Sequence, residues 1–178
     1  MKPHTIAKMG LIRTFQLVRT FLKMKVLDNV LVAIYATKGV LKGIPEYDAV
    51  DKAMYILDMV GLKHRAKELA ESLPHGERKK LELARALATD PVMLLLDEPT
   101  SGLTDREIRD LLNVVMKFKE EGVTISIIEH NVRVIMGISD RILALSSGEV
   151  IAEGTPEEIA RNERVIKAYL GERYALRR

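Results

Sequence analysis

Short apolar runs bounded by polar residues, glycine or proline predict five β-strands in this chain. The run at 92–96 (VMLLL) is too short for a helix, and its continuous apolar character is typical of a strand buried on both faces. Further strands are predicted at 11–16 and at 123–128. Residues 141–145 and 149–153 flank a Ser-Gly pair, which predicts a β-hairpin.

Apolar residues at a spacing of three and four positions predict helices between these strands. One stripe begins after Asp48 and ends before Gly61, and a second helix follows the break at 73–76. Thr104 and Glu107 are three residues apart, which predicts a capping box at the start of a third helix. Two short helices near the end of the chain are predicted to begin at Thr155 and at residue 163.

The alternation of these elements predicts an α/β layer architecture in one domain over residues 1–178. In this interpretation residues 17–88 form an inserted α-helical subdomain, and residues 1–16 and 89–178 form the core and the C-terminal segment. The composition agrees, since 30% charged and 47% apolar residues are typical of a globular protein.

Charge, cysteine content and hydropathy exclude several classes of protein. The net charge of +3 is too balanced to indicate a nucleic-acid partner, and we expect none. The chain contains no cysteine, which excludes disulfides and thiolate metal sites and is compatible with a reducing cytosol. No apolar run approaches the about 20 residues that span a bilayer, so we expect any action at a membrane to come from its surface.

Two carboxylates, Asp97 and Glu98, follow the apolar run at 92–96. Neighbouring residues at a strand end project to opposite sides, so the two side chains can serve different purposes. Asp97 can hold Mg²⁺ directly or through water, because magnesium prefers oxygen ligands. Glu98 can orient and deprotonate an attacking water. The alternative is a pair of solvated acidic residues with no chemical role.

Two further polar residues, His130 and Gln16, lie at the ends of predicted strands. Parallel neighbouring strands place their carboxyl ends at one edge of a sheet, where ligands bind, so we expect His130 near Asp97. Its imidazole can donate a hydrogen bond to a γ-phosphate oxygen as charge develops there. The amide oxygen of Gln16 can reach Mg²⁺ or the water. The alternatives are a helix-start histidine with a satisfied hydrogen bond and an ordinary surface glutamine.

The segment 73–77 (LPHGE) opens a helix and places a glycine, Gly76, in its first turn. Free N–H groups and the helix dipole at such a start attract anions. Arg78, Lys79 and Lys80 follow and strengthen the positive field. The alternative is an ordinary helix start whose basic residues form a solvated face.

Together these segments resemble the ATPase subunit of an ABC transporter, and the resemblance covers essentially the whole chain. Gln16 resembles the Q-loop glutamine, 73–77 the family signature, and 92–98 the Walker B segment with its catalytic glutamate. Residues 101–104 resemble the D-loop, and His130 resembles the switch histidine. The segments RTFQLVRTF, IIEHNVRVIMGISDRI, GEVIAEGTPEEI and VIKAYLGE are most similar to the ATPase subunits of branched-chain amino acid importers.

The resemblance implies a P-loop NTPase core with a mostly parallel sheet, and ATP and Mg²⁺ as ligands. It implies that Glu98 and His130 are catalytic residues and that Gln16 and Asp97 hold the metal. It also implies that two ATP-binding subunits, identical or different, pair head to tail and drive transmembrane permease subunits from the cytoplasmic face of the membrane. The implied nucleotide-binding residues are Gln16, Asp97, Leu73, Pro74, His75, Gly76, Glu77, Ser101 and Gly102.

Three departures from the family pattern change these expectations. Pro74 replaces a serine whose hydroxyl contacts the γ-phosphate in the family, and Thr104 replaces an acidic or amide residue of the D-loop. No Gly-x-x-x-x-Gly-Lys-Ser/Thr phosphate loop occurs anywhere in the sequence. We therefore expect an incomplete core, from a fragment or a natural half-domain, that hydrolyses negligible ATP alone. We also expect an unfilled position in the sheet beside residues 123–128.

Two other functions stay open at this point. A non-catalytic partner would present residues 73–77 to a complete ATPase and bind no nucleotide alone. An ABC-type ATPase of DNA repair would carry long coiled coils around the Q-loop region, and the inserted segment shows no sustained heptads. The sequence therefore favours a transporter subunit over a DNA-repair ATPase.

Overall fold

The computed structural model describes residues 1–14, 20–38 and 45–170. The chain divides into two compact units, Met1–Ile128 and the residues from Glu129 onward, each with its own hydrophobic core. Both units combine helices with strands, so the predicted α/β class is confirmed. None of the helices in the described ranges has the length and apolar character needed to cross a bilayer.

A parallel sheet of three described strands belongs to the first unit. The strands are β1 (Leu11–Arg13), β2 (Met93–Asp97) and β3 (Thr124–Ile128), in the order β1-β2-β3. Leu94 and Leu96 are fully buried on one face of β2, whereas the alternate side chains on the other face are half-buried. The prediction of a strand buried on both faces is therefore confirmed for one face only.

Strand β1 is shorter than the strand predicted at 11–16. The Thr14 N–H donates to the Leu95 carbonyl oxygen at 3.0 Å, which continues the pairing for one residue beyond β1. Gln16, predicted to end this strand, lies outside the described residues. The distance between its amide and Asp97 therefore stays a prediction.

The described part of the first unit contains the helices α1 (Pro3–Lys8), α2 (Val26–Lys38), α3 (Glu46–Met59), α4 (His75–Leu87) and α5 (Asp105–Glu120). The stripe predicted after Asp48 lies in α3, and the helix predicted after the break at 73–76 is α4. The insert predicted at 17–88 contains α2, α3 and α4, whose buried side chains share one core with β2 and α5. Its status as a separate subdomain stays a prediction.

The capping box predicted for Thr104 and Glu107 is confirmed at the start of α5. The Thr104 N–H donates to the Glu107 carboxylate at 2.9 Å, and the Glu107 N–H donates to the Thr104 hydroxyl at 3.4 Å. Hydrogen bonds from Thr104, the main-chain one first, hold the pKa of the Glu107 carboxyl below its usual value. The ionised carboxylate also interacts favourably with the positive end of the helix dipole. These interactions fix the point at which α5 begins.

The second unit contains α6 (Val132–Ile138), β4 (Ile142–Ser146), β5 (Glu149–Gly154), α7 (Pro156–Arg161) and α8 (Glu163–Leu170). The predicted hairpin is confirmed, since β4 and β5 pair antiparallel. Ser147 and Gly148 connect them with φ of 51° and 84°, as a tight two-residue hairpin turn requires. The capping box of Thr155 and Glu158 at the start of α7 is also present.

Strand β3 lies at an edge of the parallel sheet. Within the described residues it pairs only with β2, and no described strand pairs with its other edge. Ile125 and Ile127 are half-buried, and Ile128 is 65% exposed. The predicted unfilled position beside 123–128 is therefore confirmed for the described part of the chain.

Candidate functional site

Asp97 is the last residue of β2 and forms an ion pair at the carboxyl end of the sheet. Nη2 of Arg13 lies 2.8 Å from Oδ2 of Asp97. The register explains this contact: Arg13 pairs with Leu95, and side chains two residues apart on a strand, such as Leu95 and Asp97, share a face. The Asp97 side chain is 26% exposed, so its carboxylate is partly accessible to solvent while it binds a cationic group.

Glu98 leaves the strand in a main-chain conformation that L-residues rarely adopt. Its φ is 45°, in the left-handed region, which costs about 1–3 kcal/mol for a residue other than glycine. Its N–H donates to the Ile128 carbonyl oxygen at 2.9 Å, so the residue stays bonded to β3 while the chain turns. Asp97 and Glu98 therefore stand in different environments, one within the strand and one in the turn. Two separate chemical roles require such a difference.

The loop 98–104 links β2 to α5 and is anchored by a lysine of α4. The ammonium of Lys79 donates to three main-chain carbonyl oxygens of this loop: Ser101 (2.7 Å), Pro99 (2.8 Å) and Glu98 (3.4 Å). Lys79 is only 6% exposed. The interpretation of the basic run after Glu77 as a solvated face is therefore wrong at Lys79.

The segment 73–77 forms the entry to α4. Leu73 is 1% exposed and belongs to the hydrophobic core, so its side chain anchors the segment, and its predicted part in nucleotide binding stays a prediction. Glu77 lies 3.4 Å from the guanidinium of Arg65. Pro74 occupies the N-cap position and makes no side-chain hydrogen bond to the helix start. The first-turn N–H groups of α4 therefore keep the capacity to bind an anion.

The entry to α4 and the loop before α5, far apart in sequence, meet at this site. A Cβ placed on Gly76 would overlap the carboxylate of Glu107, so any side chain there would displace that carboxylate. A Cβ placed on Gly102, whose φ is 73°, would lie 3.6 Å from Nε2 of His75. The segments that resemble the family signature and the D-loop thus approach each other at His75 and Gly102, within the first unit.

The carboxyl end of β2 fits a magnesium ion that is held mainly by water and phosphate. A cavity of about 20 Å³ beside Asp97 and Glu98 is also lined by Thr14 and Glu82 and is large enough for one water. Among the described residues, no group of three or more acidic, histidine or cysteine side chains could hold a metal by itself. Magnesium needs only one or two carboxylates besides phosphate oxygens and waters, and Asp97 supplies one.

His130 belongs to the second unit and is exposed. It precedes Asn131, whose side-chain oxygen accepts the Val134 N–H at 3.4 Å and caps α6. His130 and Asp97 belong to different units, so their predicted proximity stays a prediction.

Two protein families match this chain. The ABC transporter family matches residues 2–101. The family described as branched-chain amino acid ATP-binding cassette transporter matches residues 149–175. The first match includes the entry to α4 and the start of the loop after β2, at 98–101. The second includes β5 and the helices after it.

Curated proteins and solved structures of the same kind are similar to most of the chain. The high-affinity branched-chain amino acid transport ATP-binding protein LivG of Salmonella typhimurium is 40% identical over 94% of this chain and 70% of LivG. BraF of Pseudomonas aeruginosa, with the same description, is 40% identical over 95% of this chain and 71% of BraF. The ADP conformation of MJ1267, an ATP-binding cassette of an ABC transporter, has a TM-score of 0.79 and 28% identity over 97% of this chain and 72% of MJ1267. A nucleotide-free ATP-binding cassette gives a TM-score of 0.77 at 28% identity, over 97% of this chain and 73% of that one.

Proposed function

This chain belongs to the ABC transporter family, whose ATP-binding subunits hydrolyse ATP, and we propose that it is such a subunit of an importer for branched-chain amino acids. The descriptions of LivG and BraF and the match at 149–175 support this substrate class. The observation that carries the proposal is the contact between two segments: the entry to α4 at His75 and, at Gly102, the loop that begins at Glu98 directly after Asp97.

In this proposal Asp97 holds Mg²⁺ and Glu98 orients and deprotonates the attacking water. Bound Mg²⁺ would neutralise charge on the phosphate oxygens. The position of Asp97 at the end of β2, with its carboxylate partly accessible to solvent, supports this role, and the ion pair with Arg13 competes with the metal for the same oxygen. Two further residues would complete the site. Gln16 would be a metal ligand, and His130 would donate a hydrogen bond to a γ-phosphate oxygen. The turn at Glu98 supports its separate role, since it moves the second carboxylate away from the strand.

A second ABC ATP-binding subunit is the proposed partner, because these 178 residues contain no phosphate-loop sequence. ATP would lie between the partner's phosphate loop and residues 73–77 of this chain, with Ser101 and Gly102 facing the partner. The N-cap at Pro74, which leaves first-turn N–H groups for an anion, supports this arrangement. The same N-cap also favours a second candidate function, in which this chain is a non-catalytic partner that supplies residues 73–77 to a complete ATPase.

Transmembrane permease subunits are the proposed partners at the membrane. LivG and BraF are described as transport ATP-binding proteins, which supports a place for this chain beside a permease. The subunit would lie peripherally on the cytoplasmic face, and the helical segment 17–88 would transmit its movement. We propose no nucleic-acid partner, in agreement with the net charge of +3.

Complementation between two forms of the chain tests the nucleotide site. The first form, called the fused chain, carries the phosphate-loop segment of Escherichia coli LivG ahead of Met1 and the substitution Gly76→Arg. The second is the 178-residue chain. Neither form should hydrolyse ATP alone, because one lacks a working 73–77 segment and the other lacks a phosphate loop. Their mixture should hydrolyse ATP through one composite site.

Matched variants of the 178-residue chain control this experiment. Gly137→Ala should still restore hydrolysis, because a Cβ on Gly137 meets nothing within 4 Å. Gly76→Arg should not restore it. A mixture without activity would contradict the proposed role of residues 73–77. Glu98→Gln in the 178-residue chain should leave the composite site active, since that site uses Glu98 of the fused chain.

Uptake of leucine tests the substrate class. A fused chain without the Gly76→Arg substitution is expressed in Escherichia coli cells that lack LivG. Restored uptake of radiolabelled leucine supports the branched-chain amino acid assignment. Hydrolysis in the purified mixture without any uptake in cells would direct the search to another transported molecule.

A further inference from the structure

Lys79 is a buried lysine within the first two turns of α4. It is 6% exposed, and its side chain extends toward the loop that follows Glu98. Its ammonium donates to the carbonyl oxygens of Ser101 at 2.7 Å and of Pro99 at 2.8 Å, and lies 3.4 Å from that of Glu98. Three carbonyl oxygens from one short loop therefore converge on one ammonium group.

This convergence depends on a positive charge. Carbonyl oxygens carry partial negative charge, so three of them directed at one point repel one another unless a donor lies between them. An ammonium group has three N–H donors and no acceptor, which matches this arrangement. An uncharged amide would supply two donors, and an apolar side chain would supply none. Loss of the ammonium would leave buried carbonyl groups close together without a donor, which is costly.

The loop that Lys79 holds begins at a strained residue. Glu98 has a φ of 45°, a region that few residues other than glycine adopt. Its N–H donates to the Ile128 carbonyl oxygen at 2.9 Å, and its own carbonyl oxygen accepts the Ser101 N–H at 3.2 Å. Strained conformations persist only where several neighbours fix them together. Lys79, Ile128 and Ser101 are three neighbours that hydrogen-bond the main chain of Glu98.

We propose that Lys79 is a positioning residue, through which α4 fixes the main-chain conformation of Glu98 and the placement of Ser101 and Gly102. The proposal rests on the proposed function, which makes Glu98 the base and directs Ser101 and Gly102 toward the second subunit. Lys79 does not contact the reacting atoms and acts by holding the loop.

Hydrogen–deuterium exchange of the 178-residue chain tests this proposal. Lys79→Met keeps a long side chain and removes the charge. We expect amides at 100–104 to exchange at least about tenfold faster in this variant, because charged hydrogen bonds are among the strong ones. The exchange rates of amides in β2 and α5 should rise only by the factor that corresponds to the change in global stability.

Two further variants separate positioning from general loss of stability. Lys79→Arg keeps a charge with several donors, so we expect it to restore a large part of the protection that Lys79→Met loses. Lys80→Met is the matched control, since Lys80 is the next residue of α4 and lies 3.7 Å from Asp110. Exchange at 100–104 should be unchanged in Lys80→Met.

NMR of the unsubstituted chain provides a second measurement if Lys79→Met does not fold. The ammonium protons of Lys79 should give a nitrogen-correlated signal that is protected from exchange with water. Hydrogen-bond couplings should join it to the carbonyl carbons of Pro99 and Ser101. A signal that exchanges as rapidly as those of exposed lysines would overturn the proposal.

A uniform rise in deuterium exchange would also overturn it. If Lys79→Met speeds exchange by one factor in every segment, Lys79 contributes to global stability and does not position the loop. Either result is independent of the complementation between fused and 178-residue chains. Failure of this inference is therefore distinguishable from failure of the proposed function.

Discussion

Arg13 and Asp97 form an ion pair of 2.8 Å across β1 and β2, at the carboxyl end of the parallel sheet. Asp97 is the residue proposed to hold Mg²⁺, so the guanidinium lies against the oxygen that the metal would use. A bound metal must displace Arg13 or share the carboxylate with it. The free energy of the ion pair is therefore lost when the metal binds, which weakens metal binding by up to that amount.

Arg13→Gln is expected to strengthen metal binding at Asp97. Ion pairs at a protein surface contribute about 0.2–1 kcal/mol, so loss of this one corresponds to a metal affinity about 1.5- to 5-fold higher. Titration of the fused chain with Mn²⁺ in the presence of ATP, followed by electron paramagnetic resonance, measures this change. Arg141→Gln is the control, since Arg141 pairs with Glu153 at 2.9 Å in the second unit. Weaker binding in Arg13→Gln would contradict the competition.

The 178-residue chain alone is expected to bind MgATP no more tightly than about 1 mM, or about −4 kcal/mol. The reason is that the N–H groups and the lysine of a phosphate loop supply most contacts to the β- and γ-phosphates. Isothermal titration calorimetry measures the affinity, and the fused chain serves as the positive control. Micromolar binding by the 178-residue chain would show that its own residues form a complete phosphate site.

Glu98→Gln in a fused chain with an intact 73–77 segment is expected to lower turnover by about 10²- to 10⁴-fold. The amide keeps the shape of the side chain but cannot accept the proton of the attacking water. ATP binding, measured by calorimetry, should stay within about twofold because the substitution leaves the phosphate contacts in place. Glu149→Gln, on the exposed turn side of the hairpin, is the control. Ordinary turnover in Glu98→Gln would exclude Glu98 as the base.

Gly76→Ala is expected to destabilise the first unit by about 1 kcal/mol, the usual cost of losing a helix cap. The added Cβ would displace the Glu107 carboxylate, which caps α5 through Thr104. Thermal melting followed by circular dichroism measures the change, and Gly137→Ala is the control because its Cβ meets open space. In a Glu107→Ala background the Gly76→Ala substitution should cost little. An equal loss of stability in both backgrounds would show that Gly76→Ala does not act through the Glu107 carboxylate.

Local signals were sufficient to predict several elements of this fold. The apolar run before Asp97 is too short for a helix, and the Thr104 and Glu107 pair is a capping box that depends only on neighbouring residues. The hairpin turn at Ser147 and Gly148 is local in the same sense. These features depend on interactions between residues that are close in sequence, so sequence patterns predict them directly.

The contacts that position the site depend on packing and could not be predicted with the same ease. The basic run after Glu77 indicates a positive field or, as the alternative, a solvated face, and neither interpretation predicts that Lys79 is buried. Lys79 precedes the buried Leu83 and Ala86 by four and seven residues and therefore shares their helical face, which is the signal in the sequence for its burial. The pairing of Arg13 with Asp97 depends on the register between β1 and β2, which a strand of three residues does not specify by pattern.

The free edge of β3 bears on how the 178-residue chain behaves in solution. Val123, Ile125, Ile127 and Ile128 are apolar and β-branched, which suits a central strand, yet within the described residues β3 pairs on one side only. An apolar edge strand with unpaired N–H and C=O groups recruits another chain, since each buried group without a partner costs about 1–3 kcal/mol. We therefore expect the 178-residue chain to be poorly soluble, partly unfolded or associated through β3.

Ile128→Lys tests this association through β3. Ile128 is 65% exposed, so the substitution should cost little in the folded chain while placing a charge on the edge, a common means of blocking strand pairing. Sedimentation velocity over a range of concentrations should show association of the parent chain and a shift toward monomer in Ile128→Lys. Tyr47→Lys is the control, since Tyr47 is 74% exposed on α3 and far in sequence from the sheet, and it should associate as the parent does. A parent chain that is monomeric at every concentration and melts in one sharp cooperative transition would show that the edge of β3 is satisfied within the chain.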